Sequence, residues 1–149
     1  MNASATSANS GGTTDPLHAR AVVVQADAEH NRRDDLHATA LAVMRALAPG
    51  TSLVTTLPVL LESLTLVRRH VHHRRAADLG QAVLQSDRYE VVYPGAQATA
   101  QALQMFEHYA DVPLSFTDGT SFVVMRACGL TQAFAFDGHF RMFGFHLCR

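Results

Sequence analysis

The sequence contains no lysine and no tryptophan, and its only cysteines are Cys128 and Cys148. Two cysteines that form no CxxC pair indicate neither a zinc site nor a disulfide framework, so two reduced thiols in the cytoplasm are expected. All 12 basic residues are arginines, whose planar guanidinium suits phosphate recognition. A genome that favours arginine codons is a simpler explanation of the same bias.

Long apolar runs are also missing from the sequence. The longest, such as residues 57–61, are far too short to span a bilayer, and the first residues lack the basic start and apolar stretch of a signal peptide. The formal net charge of −1 gives no strong field that would indicate a nucleic-acid or membrane partner. We therefore expect a cytoplasmic protein without membrane association.

The composition provides apolar material for one folded domain. The chain has 149 residues, of which 48% are hydrophobic, and this length suits a single core. Residues 1–15 are mainly Ser, Thr, Asn, Ala and Gly, which cannot bury enough apolar surface to offset the entropy of ordering. We therefore predict a disordered extension at residues 1–18 and a folded domain at residues 19–149.

The folded part alternates short β-branched runs with longer amphipathic ones. Strands are predicted at residues 21–24, 53–56, 89–93, 133–136 and 144–147, and helices at residues 34–47, 58–69, 76–85, 96–109 and 117–129. Strands that alternate with helices imply a parallel sheet flanked by helices. The strands are apolar throughout, as strands buried on both faces should be.

Three acids fall where such a fold gathers its functional groups, outside the carboxyl ends of the strands. Asp137 directly follows the fourth predicted strand, although an Asp-Gly pair is also a common turn. Asp118 lies at a predicted helix start, where a role as N-cap is the alternative explanation. Glu62 is the only charge between residues 53 and 67, in a helix so apolar that burial is expected; the alternative is a narrow solvent-facing stripe.

Together the three acids are more informative than each alone. Carboxylates brought close together repel one another unless a cation lies among them. Ligands that are all oxygen favour Mg²⁺ or Mn²⁺ over zinc. Glu62, Asp118 and Asp137 are therefore predicted to hold a divalent metal.

Two segments that carry these acids resemble a known family. Residues 113–125 (PLSFTDGTSFVVM) and 133–145 (AFAFDGHFRMFGF) strongly resemble the back half of PIN-domain proteins, and VapC-type toxin ribonucleases most closely. Residues 55–62 resemble the second acidic motif of the family, and residues 22–37 resemble the first more weakly. The resemblance covers residues 20–149 and is loosest at residues 68–104.

The resemblance implies a three-layer α/β/α fold, with about five parallel strands and helices on both faces. It also implies a metal-dependent endoribonuclease that hydrolyses RNA phosphodiester bonds, with Glu62, Asp118 and Asp137 as catalytic and metal-binding acids. VapC-like proteins generally form homodimers and are neutralised by a small antitoxin protein. The implied role is thus the toxin of a toxin–antitoxin pair, with RNA as substrate.

The sequence departs from the family pattern at the end of the first strand. The position of the first acid holds Gln25, and the position of the following Ser or Asn holds Asp27. If the chain is extended there, the two side chains point the same way, and Asp27 could restore the lost charge as a fourth metal ligand. Otherwise Gln25 leaves a catalytically impaired domain that binds RNA or a protein partner, which is the alternative function.

Other polar residues are candidates for supporting roles. Gln25, Thr117 and Ser121 could orient the metal ligands through hydrogen bonds. The residues that could grip RNA phosphates are Arg32, Arg33, Arg126 and Arg141, although solvated surface charge explains each of them as well.

The stretch at residues 68–75 contains four arginines and three histidines. It could bind RNA or gain charge as the pH falls, but a solvated helix end with cations suited to the helix dipole is the simpler interpretation. A zinc site is a poor explanation, because no distant second pair of ligands is present.

Overall fold

The structure is a computed structural model, and it describes residues 20–23, 42, 45–136 and 138–148. Within these ranges five strands form one parallel sheet, in the spatial order β3-β2-β1-β4-β5. The strands are β1 (Arg20–Val23), β2 (Ser52–Thr56), β3 (Tyr89–Val92), β4 (Gln132–Phe134) and β5 (His146–Leu147). The helices are α1 (Leu57–His70), α2 (His73–Leu84), α3 (Ala96–His108), α4 (Phe116–Ala127) and α5 (His139–Met142).

The chain passes from β2 into α1 without a loop. Thr56 ends the strand, is fully buried, and accepts a hydrogen bond from the Val59 amide at 3.4 Å as the N-cap of the helix. Pro58 lies in the first helical turn, where its missing N–H costs nothing. This direct connection places the first turns of α1 at the carboxyl end of the sheet.

Helix α4 is the central packing element of the described chain. All residues from Gly119 to Met125 are buried, and α3 packs closely across this helix. The side chain of Phe122 stacks on Phe143 at a centroid distance of 4.6 Å and meets Phe140 edge-on at 4.7 Å. These large rings form much of the core, and each Å² of apolar surface that they bury stabilises the fold by about 25 cal/mol.

Several predicted elements are confirmed. The first three strands, α1, α3 and α4 agree with their predicted positions to within about two residues. Gly50 and Gly129 have φ of 84° and 65°, a backbone region that glycine adopts without a steric penalty. The predicted helix over residues 34–47 lies mostly outside the described residues, although Ala42, Arg45 and Ala46 are helical. The predicted disordered extension lies outside them entirely.

Other predictions need correction. Strand β4 ends at Phe134, so Ala135 and Phe136 separate it from Asp137. Helix α2 begins at His73, three residues before its predicted start, because His72 caps it. The short helix α5 was not predicted. No helix in the described ranges is both long and apolar enough to cross a membrane.

Candidate metal centre

Asp118 is fixed at the start of α4 by a capping box with Ser115. The Ser115 hydroxyl accepts a hydrogen bond from the Asp118 amide at 3.0 Å and donates one to Oδ2 of Asp118 at 2.7 Å. The Ser115 amide donates a further hydrogen bond to the same oxygen at 3.0 Å. Ser115, rather than Asp118, is therefore the N-cap, and Asp118 occupies the third helical position.

This arrangement leaves one oxygen of Asp118 available for a ligand. Both hydrogen bonds that its carboxylate accepts go to Oδ2, and Oδ1 has no hydrogen-bond donor among the described residues. A carboxylate held through one oxygen presents the other in a fixed direction, which is how metal-ligating carboxylates are usually supported. Asp118 is only partly buried, so the residue is not sealed off from solvent.

Glu62 lies in the second turn of α1 and is half-buried. Its carboxylate makes no hydrogen bond or ion pair with the described part of the chain. Of the two interpretations of this helix, burial on all sides is wrong and a solvent-facing side is present, because Leu61 is 55% exposed and only Val59 and Leu60 are buried. Desolvation therefore does not force Glu62 to have a partner, and it is available to an added cation.

The two acids lie on helices that pack against each other. Glu62 follows the carboxyl end of β2 by six residues. Helix α4 is followed by a short turn at residues 128–131, which leads into the amino end of β4. Asp118 lies at the opposite end of α4. Oxygen ligands of this kind fit Mg²⁺ or Mn²⁺.

The rest of the predicted metal site lies outside the described residues. Gln25, Asp27 and Asp137 all fall there. Within the described ranges no three His, Cys, Asp or Glu side chains come together as a metal-ligating group. The four-acid set of Asp27, Glu62, Asp118 and Asp137 thus remains a prediction, with two of its members located on neighbouring helices.

Neither hydroxyl group predicted to support the acids forms a hydrogen bond with Asp118. Ser121 is fully buried, and its Oγ donates to the Thr117 carbonyl at 2.9 Å rather than to Asp118. No hydrogen bond connects the Thr117 side chain to Asp118. Among the described residues, the Ser115 hydroxyl holds the Asp118 carboxylate, and support of the metal ligands by Thr117 and Ser121 stays a prediction. The signal for Ser115 was present in the sequence as Ser-x-x-Asp before an apolar run, the spacing of a capping box.

The structure describes two of the four predicted phosphate-binding arginines, Arg126 and Arg141. Arg126 is eight residues after Asp118 and therefore about 12 Å away along the helix, and its guanidinium makes a long hydrogen bond of 3.5 Å to the Phe143 carbonyl. Arg141 is exposed on α5. Arg32 and Arg33 lie outside the described residues. Arg126 is thus better explained as a contact between α4 and the turn before β5.

A cavity of about 350 Å³ lies between the end of β3, the start of α3 and the second half of α4. It is mainly apolar, and its lining includes Tyr93, Gln97, Gln101 and Cys128 but neither Glu62 nor Asp118. Without a carboxylate or an arginine in its wall, this cavity lacks the groups that phosphodiester hydrolysis requires. The candidate site is therefore the surface that carries the two acids.

Comparison with known proteins identifies the family of this fold. The family model described as the PIN domain matches residues 26–145. That range contains Glu62, Asp118 and Asp137, and Gln25 lies one residue before it.

Individual relatives agree with the family match. Two curated proteins, both named 23S rRNA-specific endonuclease VapC20, come from strains CDC 1551 / Oshkosh and ATCC 25618 / H37Rv of Mycobacterium tuberculosis. Each is 36% identical over 115 residues, which is 77% of this chain and 86% of the relative. The crystal structure of Mycobacterium tuberculosis VapC20, described as a sarcin-ricin loop cleaving toxin, has a TM-score of 0.71 and 32% identity, covering 84% of this chain and 95% of that one. This match implies the PIN-like α/β/α fold.

Proposed function

Because the chain belongs to the PIN-domain family and is similar to VapC-type toxin ribonucleases, we propose that it is an endoribonuclease that hydrolyses RNA phosphodiester bonds with a divalent metal. The predicted acids for this reaction are Glu62, Asp118 and Asp137, with Asp27 as a possible fourth ligand. Mg²⁺ and Mn²⁺ are the proposed ions, since all of these ligands bind through oxygen.

One observation carries the proposal. Glu62 and Asp118 are carboxylates without a cationic partner in the described part of the chain, and they lie on two helices that pack together. A divalent ion bound by both carboxylates would give each of them a positive partner.

The chemistry assigned to each residue follows from its setting. A bound metal polarises the scissile phosphate and lowers the pKa of a bound water. Asp118 would bind the metal through Oδ1, since Ser115 holds Oδ2, and it would need little reorganisation on binding. Glu62 would supply a second carboxylate from the neighbouring helix. Such a reaction needs no covalent nucleophile from the chain.

The substrate we propose is a folded ribosomal RNA. The relatives are named as 23S rRNA-specific endonucleases, and the solved one is described as cleaving the sarcin-ricin loop. The similarity covers most of this chain, so a stem–loop of 23S rRNA is the first substrate to test. A protein that cuts ribosomal RNA acts in the cytoplasm.

Proposed partners follow from the same similarity. As a VapC-like toxin, the protein would form a homodimer and be neutralised by a small antitoxin protein that covers the acidic site. A short reading frame for a DNA-binding protein immediately upstream would agree with this role.

A second candidate function rests on Gln25. The family's first acid is replaced there by a neutral amide, which is a weak ligand for Mg²⁺. If Asp27 does not compensate, the chain is an RNA- or protein-binding module with little hydrolytic activity.

The test is an RNA cleavage assay with the purified full chain. A labelled stem–loop with the sarcin–ricin sequence is incubated with Mn²⁺, with Mg²⁺, or with a chelator, beside the variant Asp118→Asn. We expect cleavage that requires metal and that is lost in the variant. RNA binding without cleavage in either metal would favour the binding module.

A further inference from the structure

A dense basic surface lies between α1 and α2, and the proposed chemistry does not use it. Within residues 68–75, which we call the basic junction, every position except Val71 is arginine or histidine. All eight residues are exposed, and Val71 itself is 58% exposed. No acidic residue occurs between positions 63 and 77. The junction is therefore a concentrated positive surface on a chain whose formal net charge is −1.

Internal ion pairs neutralise only part of this charge. Arg74 pairs with Asp78 one turn further along α2, with Nε and Oδ1 3.1 Å apart. Arg68, Arg69 and Arg75 make no ion pair with any residue that the structure describes. Three arginines thus have no acidic partner in the described part of the chain.

Helix electrostatics explains only half of the basic junction. Arg68, Arg69 and His70 lie in the last turn of α1, where cations interact favourably with the helix dipole. His73, Arg74 and Arg75 lie in the first turn of α2, which contains no acid. Cations there oppose the dipole and lower helix stability. The interpretation of the whole stretch as a helix end suited to the dipole is therefore wrong for its second half.

The junction is a fixed corner of the structure. Only Val71 and His72 separate the two helices, and Nδ1 of His72 accepts a hydrogen bond from the Arg75 amide at 3.3 Å as the N-cap of α2. Helices α1 and α2 pack together, with Gly80 so close to Leu64 that an added Cβ would approach its side chain to 3.4 Å. The arginines are consequently presented from a rigid base, which lowers the entropic cost of binding.

Helix geometry connects the junction to the candidate metal centre. Arg69 follows Glu62 by seven residues on α1, which is nearly two complete turns. The two side chains therefore lie on the same face of the helix, about 10 Å apart along its axis. An RNA strand whose scissile phosphate is at the acidic site could reach Arg69 with a phosphate further along.

We propose that the basic junction is an RNA-docking surface, on which Arg68, Arg69 and Arg75 bind backbone phosphates of a folded RNA away from the scissile bond. This inference rests on the proposed function and assigns its substrate a second contact region. It does not place these arginines in the chemical step.

The chemistry of the surface favours RNA as the occupant. Arginine binds phosphate through two parallel hydrogen bonds, and phosphate contacts position a nucleic acid without reading its sequence. For single strands, the slope of log affinity against log salt concentration changes by about 0.7 for each phosphate contact. At a salt concentration of about 0.15 M, each lost contact then weakens binding about fourfold.

The test compares charge variants of the full chain in an Asp118→Asn background, which prevents cleavage. Binding of the sarcin–ricin stem–loop is measured by fluorescence anisotropy over a series of salt concentrations. The triple variant Arg68→Ala, Arg69→Ala, Arg75→Ala should bind roughly 50-fold more weakly, and its salt slope should fall by about 2. Replacement of the same three residues by Lys should restore most of the affinity.

Two controls separate docking from total charge. Arg45→Ala removes one exposed arginine far from the junction in sequence, and it should leave the affinity unchanged. Arg74→Ala should have a smaller effect than Arg69→Ala, because Asp78 already offsets the charge of Arg74. Thermal melts should show that every variant is folded, with only small shifts from the lost helix-dipole interactions, since every replaced side chain is exposed.

Cleavage by the chain with Asp118 intact distinguishes the two proposals. The triple variant should cut the stem–loop with a raised KM, while cutting a short oligonucleotide that covers only the acidic site as the parent does. A parent that cuts neither RNA would contradict the proposed function. A triple variant that binds and cuts like the parent would overturn the docking surface, and loss of antitoxin binding alone would assign the junction to a protein partner instead.

Discussion

Ser115 and Asp118 bind each other reciprocally at the start of α4, the serine hydroxyl accepting from the Asp118 amide at 3.0 Å and donating to its Oδ2 at 2.7 Å. The same contact begins the helix and orients a predicted metal ligand. Folding of α4 and organisation of the candidate site are therefore connected through one hydroxyl group.

Replacement of Ser115 by Ala should affect both properties. Loss of the N-cap should lower the free energy of unfolding by about 1 kcal/mol. The variant also loses both hydrogen bonds between the hydroxyl and Asp118. Mn²⁺ binding should therefore weaken about 10- to 100-fold, as it typically does when a group that orients a metal ligand is removed. Calorimetric Mn²⁺ titration and thermal unfolding measure the two effects.

Two further variants serve as controls for Ser115. Ser115→Thr keeps the hydroxyl and should retain both the stability and the metal affinity. Ser121→Ala removes a hydroxyl whose hydrogen bond among the described residues goes to the Thr117 carbonyl, and it should leave Mn²⁺ affinity unchanged. A weaker Mn²⁺ affinity in Ser121→Ala than in Ser115→Ala would show that the supporting hydroxyl had been assigned to the wrong residue.

A substitution at Gln25 should strengthen metal binding, whereas Ser115→Ala should weaken it. The variant Gln25→Asp places a carboxylate where the family has its first acid, so Mg²⁺ affinity should rise about tenfold or more as the ligand charge increases. Isothermal titration calorimetry measures the change, and Gln25→Asn is the neutral control. No gain in affinity for Gln25→Asp would indicate that Asp27 already supplies the missing charge.

The two cysteines should differ in reactivity. Burial raises the pKa of the Cys148 thiol above its usual value, whereas Cys128 is exposed. Because the thiolate is the reactive form, iodoacetamide at pH 8 should modify Cys128 first. The modification rate of Cys148 should rise at a higher pH than that of Cys128. Mass spectrometry of the wild type and of Cys128→Ser measures both rates; equal rates would contradict the difference in burial.

The sign of the linked stability effect follows from the same shift. A raised pKa means that the folded state favours the protonated thiol of Cys148. This contribution to stability is complete below the pKa of the unfolded thiol, and it is lost as the pH rises through the higher folded value. The wild type should therefore lose more stability than Cys148→Ser in mildly alkaline solution.

The sequence predicted those parts of the fold that have local signals. Gly50 and Gly129 mark chain reversals that need positive φ, and Pro58 marks the start of α1. Each of these signals is decided within a few residues, so the neighbouring strand and helix positions agree with the structure.

Features set by partners distant in sequence were less predictable. The apolar run that forms β4 continues through Ala135 and Phe136, but the strand itself ends at Phe134. Helix α5 has four residues, too few to show a helical period. The start of α2 was missed because histidine is not a usual N-cap.

The candidate site was predictable in its residue types but not in its contacts. Glu62 and Asp118 were identified from charge, position and the family resemblance, and they lie on two packed helices. The direction of each hydroxyl group depends on backbone partners within the helix, so the sequence alone did not show that Ser115 holds the Asp118 carboxylate or that Ser121 bonds to a backbone carbonyl.

The most direct test of a shared metal site on α1 and α4 is a Mn²⁺ titration of the wild type, Glu62→Gln and Asp118→Asn, followed by calorimetry or electron paramagnetic resonance. Both substitutions remove a charge while keeping the size of the side chain, so folding should be retained. We predict binding in the wild type and at least about tenfold weaker binding in each variant, since each loses one charged ligand. Undiminished Mn²⁺ binding in both variants would contradict a metal centre at Glu62 and Asp118.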